Sequence, residues 1–416
     1  MAQGYSGYNI TSNEVSFKNS PNVDAFGRLR VSTPFTLFDS SHRFADNGLW
    51  TSSTAGGAIS VFNTNEGLVD LIVQTTSGSE IIRETTKVFA YQPGKSLLVL
   101  NTFTMTFGPA NLRQRVGYFG AANGYYLEQN DNILYFVERT SVSGGLVNTP
   151  ITQSSWNVDP MDGTGPSGIT LDISKSQILF IDLEWLGVGT VRMGFIINGN
   201  FYVCHKFHHA NLNTGTYITT ASLPIRYEIK ATGTIPAASS LKQICSTVIS
   251  EGGYQLNGLQ QAVGIPIQSP KTLGAAGVFT PVISLRLKTS PNRLDAIVIL
   301  TALSILPITS GNYNWQMIAS GTTSGGTSWT SAGASSSVEY KIDGTSISGG
   351  RILASGFFNA TNQGKTQVDI LKEALFKFQL ERNSLTSTPY ELTLVIASDD
   401  AGDQVVASLD WEEISR

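Results

Sequence analysis

Charge is what this chain has least of. Asp, Glu, Lys and Arg make up 14% of its 416 residues, against about 25% in an ordinary globular domain. The formal net charge is −4, and no run of five or more Lys or Arg occurs, so the cationic footprint that wraps nucleic acid is missing. Cysteine is nearly absent, with Cys204 and Cys245 as the only two. Two such thiols are read as buried and reduced, as in a protein made in a cytosol, rather than as a disulfide framework. Long apolar runs are absent too. Ala296–Pro307 is the greasiest stretch and falls short of the ~20 residues that span a bilayer, so no membrane insertion is expected. The opening Met1-Ala2-Gln3-Gly4-Tyr5 has neither the positive nor the apolar region of a signal peptide. No CxxC or HExxH pattern occurs, and no metal or cofactor is expected.

What is present suits strands. Gly accounts for 41 residues, Ser, Thr and Asn are abundant, and hydrophobic content is a normal 41%. Such a composition favours strands and tight turns over solvated helices. The length points to two domains plus an arm. Residues 1–35, bracketed by Pro21 and Pro34, read as an extended N-terminal anchoring arm. Residues 36–254 read as one β-sandwich and residues 255–416 as a second, with the break at Gly252-Gly253. In the first, Ser96–Phe107 reads as a strand whose last part, with Thr at 102, 104 and 106, alternates with period two, and Ser176–Leu186, Gly189–Ile197, Tyr217–Ile229 and Cys245–Glu251 read as further strands. Asn198-Gly199 between Ile197 and Phe201 is the strongest hairpin signal. In the second, Val278–Lys288, Leu294–Ile305, Asn314–Ile318, Arg351–Phe358, Tyr390–Ile396 and Val405–Trp411 are read as strands. Residues 319–337 are read as a low-complexity loop. One short helix is predicted over 367–380, where Val368, Leu371, Leu375 and Phe378 recur at helical steps. The fold class is therefore all-β, two antiparallel jelly-roll-like sandwiches with an arm and one helix.

Several constellations invite a chemical reading. Cys204-His205-Lys206-Phe207-His208-His209 gathers metal-ligand types, yet neighbours on a strand point to opposite faces. It reads as a strand end at a surface or subunit contact. Arg113-Gln114-Arg115 beside Tyr118, Tyr125 and Tyr126 reads as packed aromatics with interface arginines, not as a nucleic-acid site. Gly163-x-Gly165-x-x-Gly168 is followed by a strand pattern, not the helix that a dinucleotide fingerprint requires. Trp315 and Trp329, in or beside the 319–337 loop, are the possible glycan contacts.

The segment Asn22-Val23-Asp24-Ala25-Phe26-Gly27-Arg28-Leu29-Arg30-Val31-Ser32, running into Thr33-Pro34-Phe35-Thr36-Leu37-Phe38-Asp39-Ser40, resembles a block near the N-terminus of virion structural proteins of tailed bacteriophages, with related stretches in some large aquatic DNA viruses. Further similar patterns follow in one order to Gly253. They include Tyr91–Ser96, Arg113–Phe119, Gln153–Asn157, Asp162–Gly168, Trp185–Gly189 and Gln243–Gly253. The resemblance implies a virion structural component made in the host cytoplasm, not an enzyme, whose partners are other virion proteins and further copies of itself, with a trimer expected. Phe26, Leu29 and Val31, with Arg28 and Arg30, are the docking side chains. The alternative is a tail-fibre or spike protein that recognises a host-surface glycan. Ile181-Asp182-Leu183-Glu184 also resembles the active-site strand of a retaining glycoside hydrolase family of jelly-roll fold, but Phe180 stands where that family keeps its nucleophile. Asp182 and Glu184 are accordingly read as structural, with Arg192 as partner across the hairpin.

Overall fold

Alternating apolar and polar residues pair as antiparallel strands throughout this computed structural model, which describes residues 8–11, 14–17, 33–361, 364–365 and 378–415. A hairpin of β1 (Tyr8–Thr11) and β2 (Glu14–Phe17) comes first. Then follow β3 (Phe35–Ser41), β4 (Trp50–Ala55), β5 (Ile59–Asn63), β6 (Leu68–Val73), β7 (Glu80–Thr85) and β8 (Leu97–Met105). Next are β9 (Leu112–Phe119), β10 (Gly124–Asn130), β11 (Ile133–Thr140) and β12 (Val147–Thr152). A 3-10 turn at Gln153–Ser155 precedes β13 (Gln177–Leu183), β14 (Val191–Ile197), β15 (Asn200–Phe207), β16 (Ile225–Ala231) and β17 (Ser239–Ser250). These form a seven-stranded sheet in the order β12-β11-β10-β9-β16-β7-β4 and an eight-stranded sheet in the order β15-β14-β13-β8-β17-β6-β5, with β3 also on β17.

The two sheets share one buried core. Inward positions alternate along each strand, for example Leu97, Val99, Phe103 and Met105 on β8. Phe136 stacks on Trp156 at 4.1 Å between ring centroids, with Phe195 next to the pair, an arrangement that adds to area burial. Arg83 points into this core and is satisfied there. Its Nη2 donates to both Asp46 carboxylate oxygens at 2.7 and 2.8 Å, and its Nη1 to Ser52 Oγ at 3.1 Å.

The second region contains β18 (Leu259–Gly264), β19 (Lys271–Thr272), β20 (Thr280–Leu287), β21 (Ile297–Pro307), β22 (Gly311–Ser324), β23 (Thr330–Ser331), β24 (Val338–Lys341) and β25 (Ser346–Ser348). After them come β26 (Arg351–Thr361), β27 (Gly364–Lys365), β28 (Arg382–Asn383), β29 (Thr388–Pro389), β30 (Glu391–Ser398) and β31 (Gln404–Ser415). A four-stranded sheet of β18, β31, β19 and β21 faces an eight-stranded sheet ordered β23-β24-β20-β30-β22-β26-β27, with β25 on β22. A separate core containing Trp315, Trp411, Met317 and Leu394 lies between them.

Three expectations change. Residues 319–324 continue β22 instead of looping out, because their Ser/Thr pattern keeps period two: Gly321 and Thr323 face inward, Thr322 and Ser324 outward. Thr323 meets Ser284 at 2.8 Å and Thr393 at 3.3 Å, a buried hydroxyl ladder that satisfies the inward oxygens. Tyr217–Pro224 is not strand. It packs Tyr217 and Ile218 into the core, and strand resumes at Ile225. Cys245 is exposed, because a register shift between Gln243 and Cys245 turns it outward, while Cys204 is buried. Of the predicted helix over 367–380, residues 366–377 lie outside the described residues. Gln379 bridges Ile299, and the Leu380 N–H donates to the Val298 carbonyl at 2.9 Å.

The two sandwiches meet through Arg382. Its Nη2 lies 2.8 Å from Glu84 Oε1 and 2.9 Å from Asp295 Oδ1, and its backbone N–H donates to the Thr86 carbonyl at 2.9 Å. Val88 and Ala90 pack on Ile297 and Ile299 beside it.

Candidate functional site

The outer face of the eight-stranded sheet of the first sandwich carries the most developed depression. Register decides which side chains line it. The two-residue Asn198-Gly199 turn pairs Ile197 with Asn200, Ile196 with Phe201 and Gly194 with Val203. A bulge at Cys204 then shifts the ladder, so Met193 pairs with His205 and Arg192 with Lys206. Lys206, Arg192 and Asp182 therefore form one cross-strand row, continued by Leu98 on β8. Val203, Gly194, Phe180 and Leu100 form the next.

Along this face, one cavity of about 420 Å³ is lined by Lys95, Asp182, Glu184, Arg192, Lys206 and His208. A second of about 330 Å³ shares Ser96, Asp182 and Arg192 with it and is walled by Leu98, Phe180, Phe201 and Val203. A third of about 300 Å³ follows over Leu100, Ile178 and Thr247. Gly194 is the floor between Phe180 and Val203. A Cβ there would lie 1.9 Å from the Tyr202 carbonyl oxygen and 2.9 Å from the Phe180 ring, so only glycine lets these strands and this ring coexist. Phe201, 55% exposed, overhangs Phe180 edge-on with centroids 5.2 Å apart.

Asp182 is ion-paired with Arg192, the partner foreseen across the hairpin. Glu184 lies one residue past β13, exposed, with its backbone carbonyl taking the Tyr217 hydroxyl at 3.1 Å. Lys95 Nζ donates to Gln92 Oε1 at 2.8 Å and to the Gly253 carbonyl at 3.1 Å. Phe180 is buried beneath Phe201 and offers no oxygen.

The three histidines near the bulge go to three different places. His205 is buried, its Nδ1 taking the Asn157 N–H at 3.2 Å. His208 is exposed in the cavity, its Nδ1 3.3 Å from Thr190 Oγ1. His209 is buried, with Nε2 2.7 Å from Glu138 Oε2, Nδ1 2.6 Å from the Gly189 carbonyl, and its ring stacked on Tyr217 at 3.8 Å. Burial, aided by His208, pushes the His205 imidazole down to about 4. The folded state thus holds His205 neutral, while the unfolded chain protonates it near 6.5. Stability from this group is present above about pH 6.5 and lost as pH falls through about 4. We expect the thermal midpoint, followed by circular dichroism, to fall more steeply over that window in the native protein than in His205→Asn, which keeps an acceptor for Asn157 without the titration.

The two tryptophans differ in what they can reach. Trp315, on β22, is 2% exposed and faces the second core. The sugar-contact expectation is therefore corrected: β22 continues through this position with Trp315 at an inward parity, and its ring faces meet protein. Trp329 is half-buried just before β23, with the Arg286 guanidinium 4.1 Å from its ring centroid and Arg286 Nε 2.7 Å from Glu339. Phe26, Arg28, Leu29, Arg30 and Val31 lie outside the described residues. The Arg115 cluster on the seven-stranded sheet is committed internally. Arg115 pairs with Glu128 and Glu228, and Arg226 with Glu84 and Glu228. Sequence reading missed Phe201, Gly194 and Lys206 as one surface. Counting outward from Asn198-Gly199 locates Phe201 opposite Ile196, but the bulge that brings Lys206 beside Arg192 has no sequence signal.

The chain matches no protein-family model and no curated protein. Among solved structures, it is similar to a protein of unknown function from Shewanella oneidensis MR-1, at TM-score 0.35 and 10% identity, covering 55% of this chain and 91% of that one. It is also similar to a glycoside hydrolase family protein from Mycobacterium thermorestibile, at TM-score 0.33 and 9% identity, covering 51% and 99%. Peanut lectin with a nine-residue peptide gives TM-score 0.32 and 10% identity, covering 53% and 98%. Likeness at this level carries no argument about ligand or chemistry.

Proposed function

We propose that the chain is a structural component of a phage virion, docked on other virion proteins through its N-terminal segment and present as a homo-oligomer, with a trimer as the expected form. The observation that carries this reading is the run of segments similar to virion proteins, in one order, from Asn22 to Gly253. Two sandwiches built on extensive strand pairing, buried hydroxyls and internally paired charges support it, since a particle component must persist outside a cell. Deleting residues 1–32 is expected to leave the thermal midpoint unchanged and to remove the protein from purified particles, as read by immunoblot. Normal incorporation of the truncated protein would place the anchor elsewhere.

A second reading is glycan recognition by a tail-fibre or spike protein, which the groove across β15, β14, β13 and β8 favours over the tryptophans. Both readings are non-catalytic. Double displacement on a sugar needs two carboxyls ~5–5.5 Å apart, one of them free to attack. Here Asp182 is held by Arg192, and Phe180 occupies the first position of the strand pattern, where the resembling enzymes keep their nucleophile.

A further inference from the structure

We propose that the outer face of the eight-stranded sheet binds a neutral polysaccharide laid across its strands, entering at Lys206 on β15 and leaving over Thr247 on β17. This rests on the glycan-recognition reading and supplies its site and ligand class.

A sheet face turned to water is expected to present polar side chains at its outward positions. Here the outward positions Leu98, Leu100 and Ile178 are apolar and half-buried, and exposed Phe201 covers the buried Phe180, so that apolar side chains run in one stripe across β8, β13 and β15. A contiguous apolar stripe with a polar end marks a surface with a partner. Its shape is that of a trough: two cavities join through Ser96, Asp182 and Arg192, and a third lies over Leu100 and Ile178, the next outward positions on β8 and β13. The trough crosses from β15 to β17 in the sheet order, four strand spacings or about 19 Å, which is the reach of a chain of several sugar units and too long for one small molecule.

The charges choose the class of chain. In the two adjoining cavities Lys95, Arg192 and Lys206 face Asp182, Glu184 and Glu251. With Asp39 in the third cavity, three cations stand against four carboxylates, a near balance that gives neither a polyanion nor a polycation strong long-range attraction. A surface rich in both donors and acceptors with little net charge fits hydroxyl groups, which do both. The apolar stripe fits the other half of a pyranose, the C–H face that lies flat against hydrophobic and aromatic side chains. Phe201 is the anchor, since it is exposed at the hairpin and is braced from below by Phe180, which is itself held over Gly194.

The test is native affinity electrophoresis of the full chain in gels containing dextran, laminarin or galactomannan as neutral probes, and alginate as a polyuronate. At least one neutral polymer is expected to retard the protein, and alginate is not. Phe201→Ala should weaken that retardation about tenfold, with the thermal midpoint preserved because the side chain is exposed. Arg192→Gln and Lys206→Gln should weaken it less, and Trp329→Ala should leave it unchanged. No retardation by any neutral polymer, or retardation by alginate alone, overturns the proposal, as does undiminished binding by folded Phe201→Ala. If Phe201→Ala loses binding while labelled particles show the protein away from any host-contacting tip, the groove stands and the attachment role falls.

Discussion

Arg382→Ala is expected to cost the protein about 3–5 kcal/mol, the range for removing one partner of a buried ion pair. Arg382 is only 1% exposed, although it sits on the two-residue strand β28. Its guanidinium reaches Glu84 on β7 of the first sandwich and Asp295 just ahead of β21 of the second. Glu84 is buried as well, and burial raises its carboxyl above the usual range while Arg382 and then Arg226 hold it down. Without Arg382 the strongest of those opposing charges is lost. Glu84 would then bind a proton more readily in the folded state than in the unfolded chain. A folded-state value raised in this way gives stability that is present in acid and lost as pH rises. The deficit in Arg382→Ala, read from urea denaturation, should therefore be larger near about pH 8 than near about pH 5. The double variant Arg382→Met with Glu84→Gln should recover much of it, since it removes the stranded charge as well as its partner. An equal deficit at both pH values would mean that packing, not the charge on Glu84, is what Arg382 supplies.

Trp315→Ala is expected to be as damaging for a different reason. The indole is enclosed in the second core, with Gly356 on the neighbouring strand and Ile396 on the other. A Cβ at Gly356 would lie 2.6 Å from the indole Nε1, so the glycine backbone is shaped around this ring. Truncation leaves a cavity that close-packed strands cannot collapse into, at about 3–5 kcal/mol. Below its lowered melting temperature the variant should be retarded by the neutral polymers as the native protein is, which separates a core role from a sugar-binding one. Trp329→Ala, removing a ring that sits half-buried against Arg286, should cost about 1 kcal/mol or less.

Most strands were legible because their periods are local. β8 and β13 have core-facing residues at every second position, and a reader needs nothing distant to see it. β22 was cut short because Ser, Thr and Gly at 319–324 look like loop residues, and only the buried hydroxyls of Ser284 and Thr393, far away in sequence, make an inward Thr323 favourable. The same limit explains Trp315, whose burial depends on strands contributed by residues 351–361 and 391–398. In the groove, the Asp182–Arg192 pair could be inferred because it spans one hairpin. The row joining Lys206 to Leu98 runs across four strands, and its alignment depends on a single inserted residue at Cys204.

That inserted residue and the shift before Cys245 have a practical consequence. One sulfur is folded into the core and the other stands on the sheet face, next to Thr102 and Thr247. A thiol-directed fluorophore or spin probe therefore reaches a single atom per chain without any cysteine being engineered. Although exposed, the Cys245 thiol is partly shielded by its neighbours, which raises it above its ordinary value, so conjugation proceeds best in mild alkali. The probe then sits on β17, four strand spacings or about 19 Å across the sheet from Lys206 and four residues along the strand from Ile249, which lies in the Lys206 row, at the far end of the trough. Its emission or mobility reports directly on whatever is threaded there.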